Sequence, residues 1–403
     1  MKTDLQKTPY YLLDEAECIN RTKCIKEEIS AWGGKICYAI KANPFLIPSL
    51  LHVVDKFEVC SPGELEICRK YRVPGDKILF SGVVKTKQDI MAALAYPVDV
   101  ITLESLTHWK YLKECFSENL QEFRNVKILP RLSNGAQFGM EETQIFEILD
   151  EQQTMEQVAV EGIHYFTGTQ KKGNKYEKEI RKAAELVERI KQQYGLEDCI
   201  LEYGPGLAVP YFMGDDFSDP LGLIRQLKEF ILKENYSFRI DVELGRYIAA
   251  ACGKYVTRIV DLKKSEDRNY CLIDGGIHHI NYYGSNMAMR TPLISHISQT
   301  GADAVPAAAD DKEESGNKLE YMVCGSLCTF ADIVVRGLTL DSPEIGDYLI
   351  FENIGAYSIT ESSYLFLSRD LPDIYLKDTE GRVVPLRTGV SSYEMNSCKG
   401  LEG

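Results

Sequence analysis

Eight short apolar runs, each followed by a helix-like stretch, constrain the fold of this chain more than any other feature. The runs are rich in Val, Ile, Leu and aromatic residues, and the stretches between them are amphipathic. Strands that alternate with helices predict parallel βα units with right-handed crossovers. Eight units in about 210 residues predict a closed (β/α)8 TIM-type barrel. The predicted strands cover residues 35–41, 57–60, 77–81, 99–103, 126–132, 158–166, 199–203 and 239–243.

Beyond residue 247 the pattern changes to strand-like runs with few long helices. We therefore expect a barrel over 35–247 and a β-rich C-terminal domain over 248–403. Residues 1–34 form an N-terminal segment that we expect to pack partly with the β-rich domain. The stretch 300–318 is rich in Ala, Asp and Glu and has little to bury, which predicts a flexible loop.

Charge and composition disfavour several classes of partner. The 403 residues carry a formal net charge of −14, which would repel nucleic acid and anionic membrane surfaces. No run of about 18 apolar residues could span a bilayer, and no N-terminal stretch has the pattern of a signal peptide. We expect a cytoplasmic protein. The 12 cysteines lack zinc-ligand spacing, so we expect reduced thiols and no metal site.

Lys41, at the end of the first predicted strand, is the most informative candidate for chemistry. Burial lowers the pKa of a lysine, and an unprotonated amine can form a Schiff base with an aldehyde. The alternative is a lysine that reaches water along its own methylene groups. Glu58, in the second strand, is placed to orient that amine, although a surface carboxylate fits the spacing equally well.

Glycine-rich turns follow the sixth and seventh predicted strands, as Gly168-Thr169 and Gly204-Pro205-Gly206. Turns at the last strands of such a barrel often hold phosphate, because the missing Cβ lets backbone N–H groups approach the oxygens. The eighth strand ends in Glu243-Leu244-Gly245-Arg246.

In chain order these motifs resemble those of the fold-type III pyridoxal phosphate decarboxylases, which include diaminopimelate, ornithine and arginine decarboxylases. The resemblance spans nearly the whole chain. The similar segments are Tyr38-Ala39-Ile40-Lys41-Ala42-Asn43, the run 58–64, Gly162-Ile163-His164 with Gly168-Thr169, Gly204-Pro205-Gly206, the run 243–246, Cys324-Gly325-Ser326-Leu327-Cys328 and Gly355-Ala356-Tyr357.

The resemblance implies pyridoxal 5'-phosphate as cofactor and release of carbon dioxide from the α-carbon of an amino acid. It implies that Lys41 bonds the cofactor, that Glu243 contacts the pyridine nitrogen and that Cys328 returns a proton to Cα from the neighbouring subunit of a homodimer. The implied cofactor-binding residues are Lys41, Glu58, His164, Phe166, Thr169, Gly204, Gly206, Glu243, Gly245, Arg246 and Tyr357.

Two departures from the family pattern bear on the cofactor face and the substrate. Phe166 stands where the family has a stacking histidine, and a phenyl ring can still stack on pyridoxal. Thr329 follows Cys328 where members that act on diamino substrates carry an acidic residue. A threonine cannot offset the burial of an ammonium, which disfavours ornithine, lysine and arginine and leaves diaminopimelate open.

The segment Asp274-Gly275-Gly276-Ile277-His278-His279 and Arg290 supply the remaining candidates for substrate binding, together with Thr329. Arg290 could bind a carboxylate bidentately. The two histidines are either donors to a substrate oxygen or loop residues that face solvent. The segment also resembles a subgroup of these decarboxylases from biosynthetic clusters, some of which act on an amino acid tethered to a carrier protein.

Several functions stay open on the sequence. The first is a diaminopimelate decarboxylase-like enzyme acting on a free amino acid, and the second is a decarboxylase of a carrier-bound amino acid. A non-catalytic homologue that binds a partner is a third, and a racemase is a fourth. Retention of Lys41, Glu243, Cys328 and Tyr357 favours an enzyme, because a binding protein has no chemical need for a reactive lysine and a proton donor.

Overall fold

A computed structural model of the chain describes residues 7–118, 123–282, 288–299, 305–306 and 318–398. The chain divides into two compact units. The barrel unit comprises Ile19–Val209 and Ser218–Ile248, and the β unit comprises Met1–Cys18, Pro210–Phe217 and Ala249–Gly403. The loop predicted at 300–318 lies outside the described residues except at 305–306 and 318.

The structure confirms the predicted fold class. The first strand, β1 (Tyr10–Asp14), belongs to the β unit, and α1 (Glu15–Ser30) follows it. The barrel unit then holds nine parallel strands in the order β7-β6-β5-β4-β3-β2-β10-β9-β8. They are β2 (Ile36–Ala39), β3 (Lys56–Val59), β4 (Ile78–Phe80), β5 (Val100–Leu103), β6 (Val126–Pro130), β7 (Val158–Val160), β8 (Gly162–Phe166), β9 (Ile200–Gly204) and β10 (Arg239–Leu244).

The ninth strand arises because the run predicted as one strand over 158–166 is broken in two. The first half, β7, pairs with β6, and the second half, β8, pairs with β9. Gly162 makes the break possible, since its φ is +153° and a Cβ there would lie 1.9 Å from the Ile200 carbonyl oxygen. A parallel bridge between Arg131 and His164 joins the region after β6 to β8, so the sheet curves round on itself.

Helices follow the strands, as the βα pattern predicts. Helix α3 begins where its sequence indicates, because the Ser61 side chain accepts a hydrogen bond from the Glu64 backbone N–H at 3.2 Å and Pro62 occupies the first turn. The helices are α2 (Ile47–Leu50), α3 (Pro62–Lys70), α4 (Lys87–Ala95), α5 (Leu106–Glu118), α6 (Glu142–Gln152), α7 (Lys175–Tyr194), α8 (Gly222–Glu234) and α9 (Arg246–Ala249).

The interior of the barrel contains buried charge as well as apolar side chains. Lys56 Nζ lies 3.3 Å from both Glu202 Oε2 and Asp241 Oδ2. These residues come from β3, β9 and β10, and β3 and β9 are not neighbours, so the side chains meet inside the barrel. Asp241 and Glu243 project to the same interior side, because alternate residues of a strand share a face. The apolar cluster comprises Leu79, Val100, Leu129 and Ile200.

The β unit is built on a ten-stranded mixed sheet. Strand β1 pairs antiparallel with β11 and parallel with β18. In the part of the chain that the structure describes, no helix is long and apolar enough to cross a membrane. The remaining elements are β11 (Gly253–Ser265), β12 (Arg268–Ile273), β13 (Ile294–Ile297), β14 (Val305–Pro306), β15 (Lys318–Cys324), β16 (Ile333–Asp341), β17 (Tyr348–Phe351), α10 (Ser358–Glu361), β18 (Asp373–Lys377) and β19 (Val383–Arg387).

Candidate active site

Lys41 lies directly after β2, in a single 3-10 turn over Ile40–Ala42. Its Nζ donates a hydrogen bond to Glu58 Oε2 at 2.6 Å. The Lys41 side chain is 40 % exposed, so the expectation of a buried lysine is wrong. Ile40 and Ala42 on either side are buried, whereas the Lys41 side chain extends from the carboxyl end of the strand, where the barrel opens.

Glu58 is the buried partner of this lysine, with a side chain that is 5 % exposed. Burial favours the neutral acid, but the Lys41 ammonium and the hydrogen bonds from Lys41 and Cys60 outweigh it and lower the pKa of Glu58 to about 2. The residue is therefore an ionised interior carboxylate at neutral pH, and the alternative of a surface carboxylate is wrong.

Glu243 and His164 form a second buried pair inside the barrel. Glu243 Oε2 accepts a hydrogen bond from His164 Nε2 at 3.1 Å. Their strands, β10 and β8, are separated by β9, so the two side chains meet across the interior. The other carboxylate oxygen, Glu243 Oε1, is buried and has no hydrogen-bond partner among the described residues. His164 is also among the groups that lower the pKa of Glu58.

The two predicted glycine turns pack against each other through their backbones. Gly206 has a φ of +57°, and a Cβ there would lie 1.9 Å from the Gly168 carbonyl oxygen and 3.0 Å from Thr169 Cα. The Lys171 backbone N–H donates to the Gly206 carbonyl oxygen at 2.9 Å. Only glycine allows this approach, and it brings the backbone of one turn and the exposed Thr169 of the other side by side.

Phe166 and Gly204 lie opposite each other on β8 and β9. A Cβ on Gly204 would lie 2.4 Å from Phe166 Cδ2, so the glycine makes room for the phenyl ring. Gly245 has the same relation to the lysine turn, because a Cβ there would lie 3.0 Å from Ala42 Cβ. Arg246 follows Gly245 as a buried residue at the start of α9.

In the β unit, Cys328 lies at the exposed tip of the loop between β15 and β16. Thr329 follows it, also exposed, and its hydroxyl accepts a hydrogen bond from the Ala331 backbone N–H at 3.3 Å. Tyr357 is half-buried, has a φ of +68° and immediately precedes α10.

Asp332, which no sequence motif indicates, holds this loop in place. Its Oδ2 accepts from the Leu327 backbone N–H and its Oδ1 from the Ile277 backbone N–H, both at 2.8 Å. A Cβ on Gly325 or Gly276 would lie within 2.7 Å of the same carboxylate. Asp332 is therefore a shared buried anchor for the loop that contains Cys328 (the cysteine loop) and for the segment 274–279 (the Asp-Gly-Gly loop). The glycine in each loop is the feature of the sequence that could have indicated this contact.

His278 and His279 are both buried, and their ring centroids are 3.8 Å apart. The alternative of solvent-facing histidines is therefore wrong. His279 Nδ1 pairs with the Tyr255 hydroxyl at 3.0 Å and Nε2 with the Asp370 carbonyl oxygen at 3.1 Å. Burial lowers the pKa of His278 to about 4 and that of His279 to about 3, so both rings are neutral at pH 7. His278 lines a cavity of about 490 Å³ together with Arg369.

Arg290 is paired within the β unit. Its Nη2 donates to Asp215 Oδ1 at 2.9 Å, and its guanidinium carbon lies 4.5 Å from the centroid of the Phe212 ring. The four predicted substrate residues thus differ in their surroundings: Arg290 contacts Asp215, Thr329 lies on the cysteine loop, and the histidines lie on the Asp-Gly-Gly loop.

The barrel contributes two charged residues that sequence reasoning missed. Arg131 follows β6, its Nη1 donates to the buried Glu104 Oε1 at 2.6 Å, and its guanidinium carbon lies 6.0 Å from the Phe166 ring centroid. Lys85 is buried, and burial lowers its pKa to about 8. Both residues lie directly after a strand or near its end, and this position is the only feature of the local sequence that could have indicated them. In the ranges that the structure describes, no group of three or more His, Cys, Asp or Glu residues is placed to hold a metal ion.

Residues 15–250 match the family model described as the pyridoxal binding domain of pyridoxal-dependent decarboxylases. This match covers more than half of the chain. The chain belongs to that family. Pyridoxal phosphate is its cofactor, and it is an amino-acid decarboxylase, as the motif order predicts.

The residues present fit this cofactor. Glu243 Oε1 is buried and has no hydrogen-bond partner among the described residues, so it could accept from a protonated ring nitrogen. The glycine turns and Thr169 offer backbone and hydroxyl groups of the kind that bind phosphate. Lys41 would supply the amine.

Named relatives cover most of the chain. It is 27 % identical over 365 residues to an L-glutamyl-[BtrI acyl-carrier protein] decarboxylase from Niallia circulans, covering 85 % of this chain and 79 % of the relative. It is 26 % identical over 406 residues to a diaminopimelate decarboxylase from Methanocaldococcus jannaschii, covering 93 % and 87 %. The crystal structure of Helicobacter pylori diaminopimelate decarboxylase complexed with L-lysine superposes with a TM-score of 0.81 at 20 % identity, covering 97 % and 96 %, which shows the shared fold.

Proposed function

We propose that this decarboxylase removes the α-carboxylate of an amino acid whose distal group is not a cation. The decarboxylase chemistry is supported by the pairing of Lys41 with Glu58 at 2.6 Å, together with Glu243 Oε1, which is buried and has no hydrogen-bond partner among the described residues. The observation that carries the substrate class is Thr329, which stands next to Cys328 and offers no charge to an ammonium. An amine, an orienting carboxylate and an acceptor for a ring nitrogen lie together at the carboxyl ends of neighbouring barrel strands.

Pyridoxal phosphate, when bound, supplies an electron sink for the pair left on Cα as carbon dioxide leaves. Glu243 Oε1 would accept the hydrogen of a protonated ring nitrogen, and a carboxylate at this position would favour that protonated form. His164 donates to Oε2, which holds the carboxylate in one orientation across the barrel.

Lys41 binds the cofactor, and Glu58 orients its amine. Because Glu58 is ionised and buried, it keeps the amine directed into the strand ends rather than toward solvent. Phe166 would stack on the ring. Gly206, Gly245, Thr169 and Arg246 would hold the phosphate, with Gly204 shaping the turn, and Tyr357 stays a predicted cofactor-binding residue.

Cys328 returns the proton to Cα, acting from the neighbouring subunit of a homodimer. Its position at an exposed loop tip supports this role. The domain bounds 1–34, 35–247 and 248–403, the homodimer, the absence of nucleic-acid and membrane partners and a cytoplasmic location remain predictions.

We propose two substrate classes, and the candidate substrate-binding residues are Thr329, Arg290, His278 and His279. The first is a free amino acid with an anionic or neutral distal group, since Thr329 offers no charge to an ammonium. The second is an amino acid tethered to a carrier protein, which the 27 % identity to a glutamyl carrier-protein decarboxylase favours. A tethered substrate has no free distal carboxylate or ammonium to be recognised.

Release of carbon dioxide from purified, cofactor-loaded protein tests the proposal. The panel contains glutamate, diaminopimelate, ornithine, lysine, arginine and a glutamyl-loaded carrier protein, and Lys41→Ala is the control. We expect release from glutamate, from diaminopimelate, whose distal end is neutral overall, or from the carrier-bound substrate, and none from the control.

Other outcomes discriminate the alternatives. Release from ornithine, lysine or arginine would refute the substrate class. Silence across the panel in a protein that binds the cofactor normally would indicate an unusual substrate, whereas failure to bind the cofactor would favour the non-catalytic homologue. Deuterium exchange at Cα without carbon dioxide release would indicate a racemase.

A further inference from the structure

A cysteine thiol lies between the two residues of the Lys41–Glu58 pair. Cys60 Sγ is 3.1 Å from Glu58 Oε1 and 3.3 Å from Lys41 Nζ. Together with the 2.6 Å bond between Lys41 and Glu58, these contacts close a triangle of amine, carboxylate and thiol. Each oxygen of Glu58 therefore has its own partner, the amine on Oε2 and the thiol on Oε1.

The backbone around Cys60 is held from two sides. Its N–H donates to Glu64 Oε2 at 2.6 Å, while Ser61 caps the same helix. On the other side its carbonyl oxygen packs against Gly82, where a Cβ would approach to 2.3 Å. The start of α3 therefore sets the position of Cys60, and Cys60 has little freedom to leave the pair.

The thiol keeps its proton in this setting. Burial raises the pKa of Cys60 well above its usual value, and the negative charge of Glu58 raises it further. A protonated thiol can donate S–H to Glu58 Oε1 and accept N–H from Lys41 at the same time. It cannot serve as a nucleophile in that form.

We propose that Cys60 is a positioning residue for Lys41, because its S–H turns the Glu58 carboxylate so that Oε2 faces the amine. The proposal rests on the proposed role of Lys41 as the residue that bonds the cofactor. Without the thiol, Glu58 Oε1 is left buried without its donor. The carboxylate can then rotate, and it concentrates more negative charge on Oε2, which holds the proton of Lys41 more firmly.

The test compares Cys60→Ala and Cys60→Ser with a matched control, Cys68→Ala. Cys68 is a buried thiol in α3, the helix that follows Cys60. Its replacement therefore measures the effect of losing a core cysteine nearby. Two quantities are measured on apoprotein: the rate at which added pyridoxal phosphate bonds to lysine, followed by its visible absorbance, and the pH at which that rate is half-maximal. Tryptophan fluorescence melting checks that each variant is folded.

We expect Cys60→Ala to load the cofactor about tenfold more slowly, as for loss of a hydrogen bond to a charged group, and to reach half-maximal rate at a higher pH. Cys60→Ser should recover part of both changes, because a hydroxyl can still donate to Glu58. Cys68→Ala should load at the wild-type rate.

The inference is overturned if folded Cys60→Ala loads and titrates like wild type, if Cys68→Ala changes as much, or if folded Cys60→Ser is no better than the alanine variant. Lys41→Ala separates the inference from the proposed function. Absorbance that still develops in Lys41→Ala refutes the role of Lys41 itself. Absorbance that depends on Lys41 but not on Cys60 refutes only the role of the thiol.

Discussion

Replacement of Gly206 by alanine is the sharpest test of the backbone contact between the two glycine turns that we propose to bind the phosphate. Gly206 has a φ of +57°, and an added Cβ would lie 1.9 Å from the Gly168 carbonyl oxygen. Ordinary contact begins at 3.4 Å, so one turn must move by 1.5 Å (3.4 minus 1.9). Gly195, which ends α7 with a φ of +65°, has nothing within 4 Å of its Cβ position and is the matched control.

The expected cost follows from these contacts. The left-handed backbone alone costs an alanine roughly 1–2 kcal/mol, and this is all that Gly195→Ala should show. Movement at Gly206 also disturbs two hydrogen bonds, from Lys171 N–H to the Gly206 carbonyl oxygen at 2.9 Å and from Ala208 N–H to the Lys171 carbonyl oxygen at 3.0 Å. At about 0.5–1.5 kcal/mol each, they bring the total for Gly206→Ala to about 2–5 kcal/mol.

Urea unfolding followed by tryptophan fluorescence measures this difference in the barrel unit alone. The chain has two tryptophans, Trp32 and Trp109, and both lie in the barrel unit. We expect Gly206→Ala to lower the free energy of unfolding more than Gly195→Ala and to weaken pyridoxal phosphate binding, which Gly195→Ala should leave intact. Equal losses of stability, or unchanged cofactor affinity in Gly206→Ala, would refute the close packing of the two turns as the basis of the site.

Three further predictions address other parts of the molecule. The pKa of Glu58 is lowered from 4.5 to about 2, so its contribution to the free energy of unfolding is complete above pH 4.5 and is lost as the pH falls toward 2. Acid unfolding of the wild type should show this loss of stability, and Glu58→Gln should lack it. The loss should be below about 3 kcal/mol, because solvent partly screens Lys41. Asp332→Ala should speed amide hydrogen exchange at Ile277 and Leu327 about tenfold or more, and unchanged exchange would contradict its role as anchor. Thr329→Glu should gain carbon dioxide release from a substrate with a cationic distal group. No gain with any diamino acid would exclude position 329 as the determinant of specificity for that group.

The architecture of the barrel could be predicted because its signal is local and repeated. Each βα unit carries its own apolar run and amphipathic helix, and the start of α3 is encoded within Ser61-Pro62-Gly63-Glu64. The ninth strand could not be predicted from that rhythm. The break at Gly162 depends on the approach of Ile200, a residue 38 positions away in the sequence.

The candidate site was predictable in its residue types and in part of its geometry. Lys41 and Glu243 stand at the ends of predicted strands and Glu58 lies within one, and parallel strands bring their carboxyl ends together. Their exact partners were not predictable: His164 meets Glu243 across an intervening strand, and Cys60 enters the Lys41–Glu58 pair because the cap of α3 holds it there.

The sequence by itself therefore determined the fold class, the family and the cofactor, because motif order and strand rhythm are properties of the chain read in one dimension. Only the tertiary structure decided that Lys41 is half exposed rather than buried, that His278 and His279 are buried rather than solvent-facing, and that Asp332 joins two loops. Exposure and hydrogen-bond partners depend on which distant segments pack together, and the local sequence around a residue does not specify that packing.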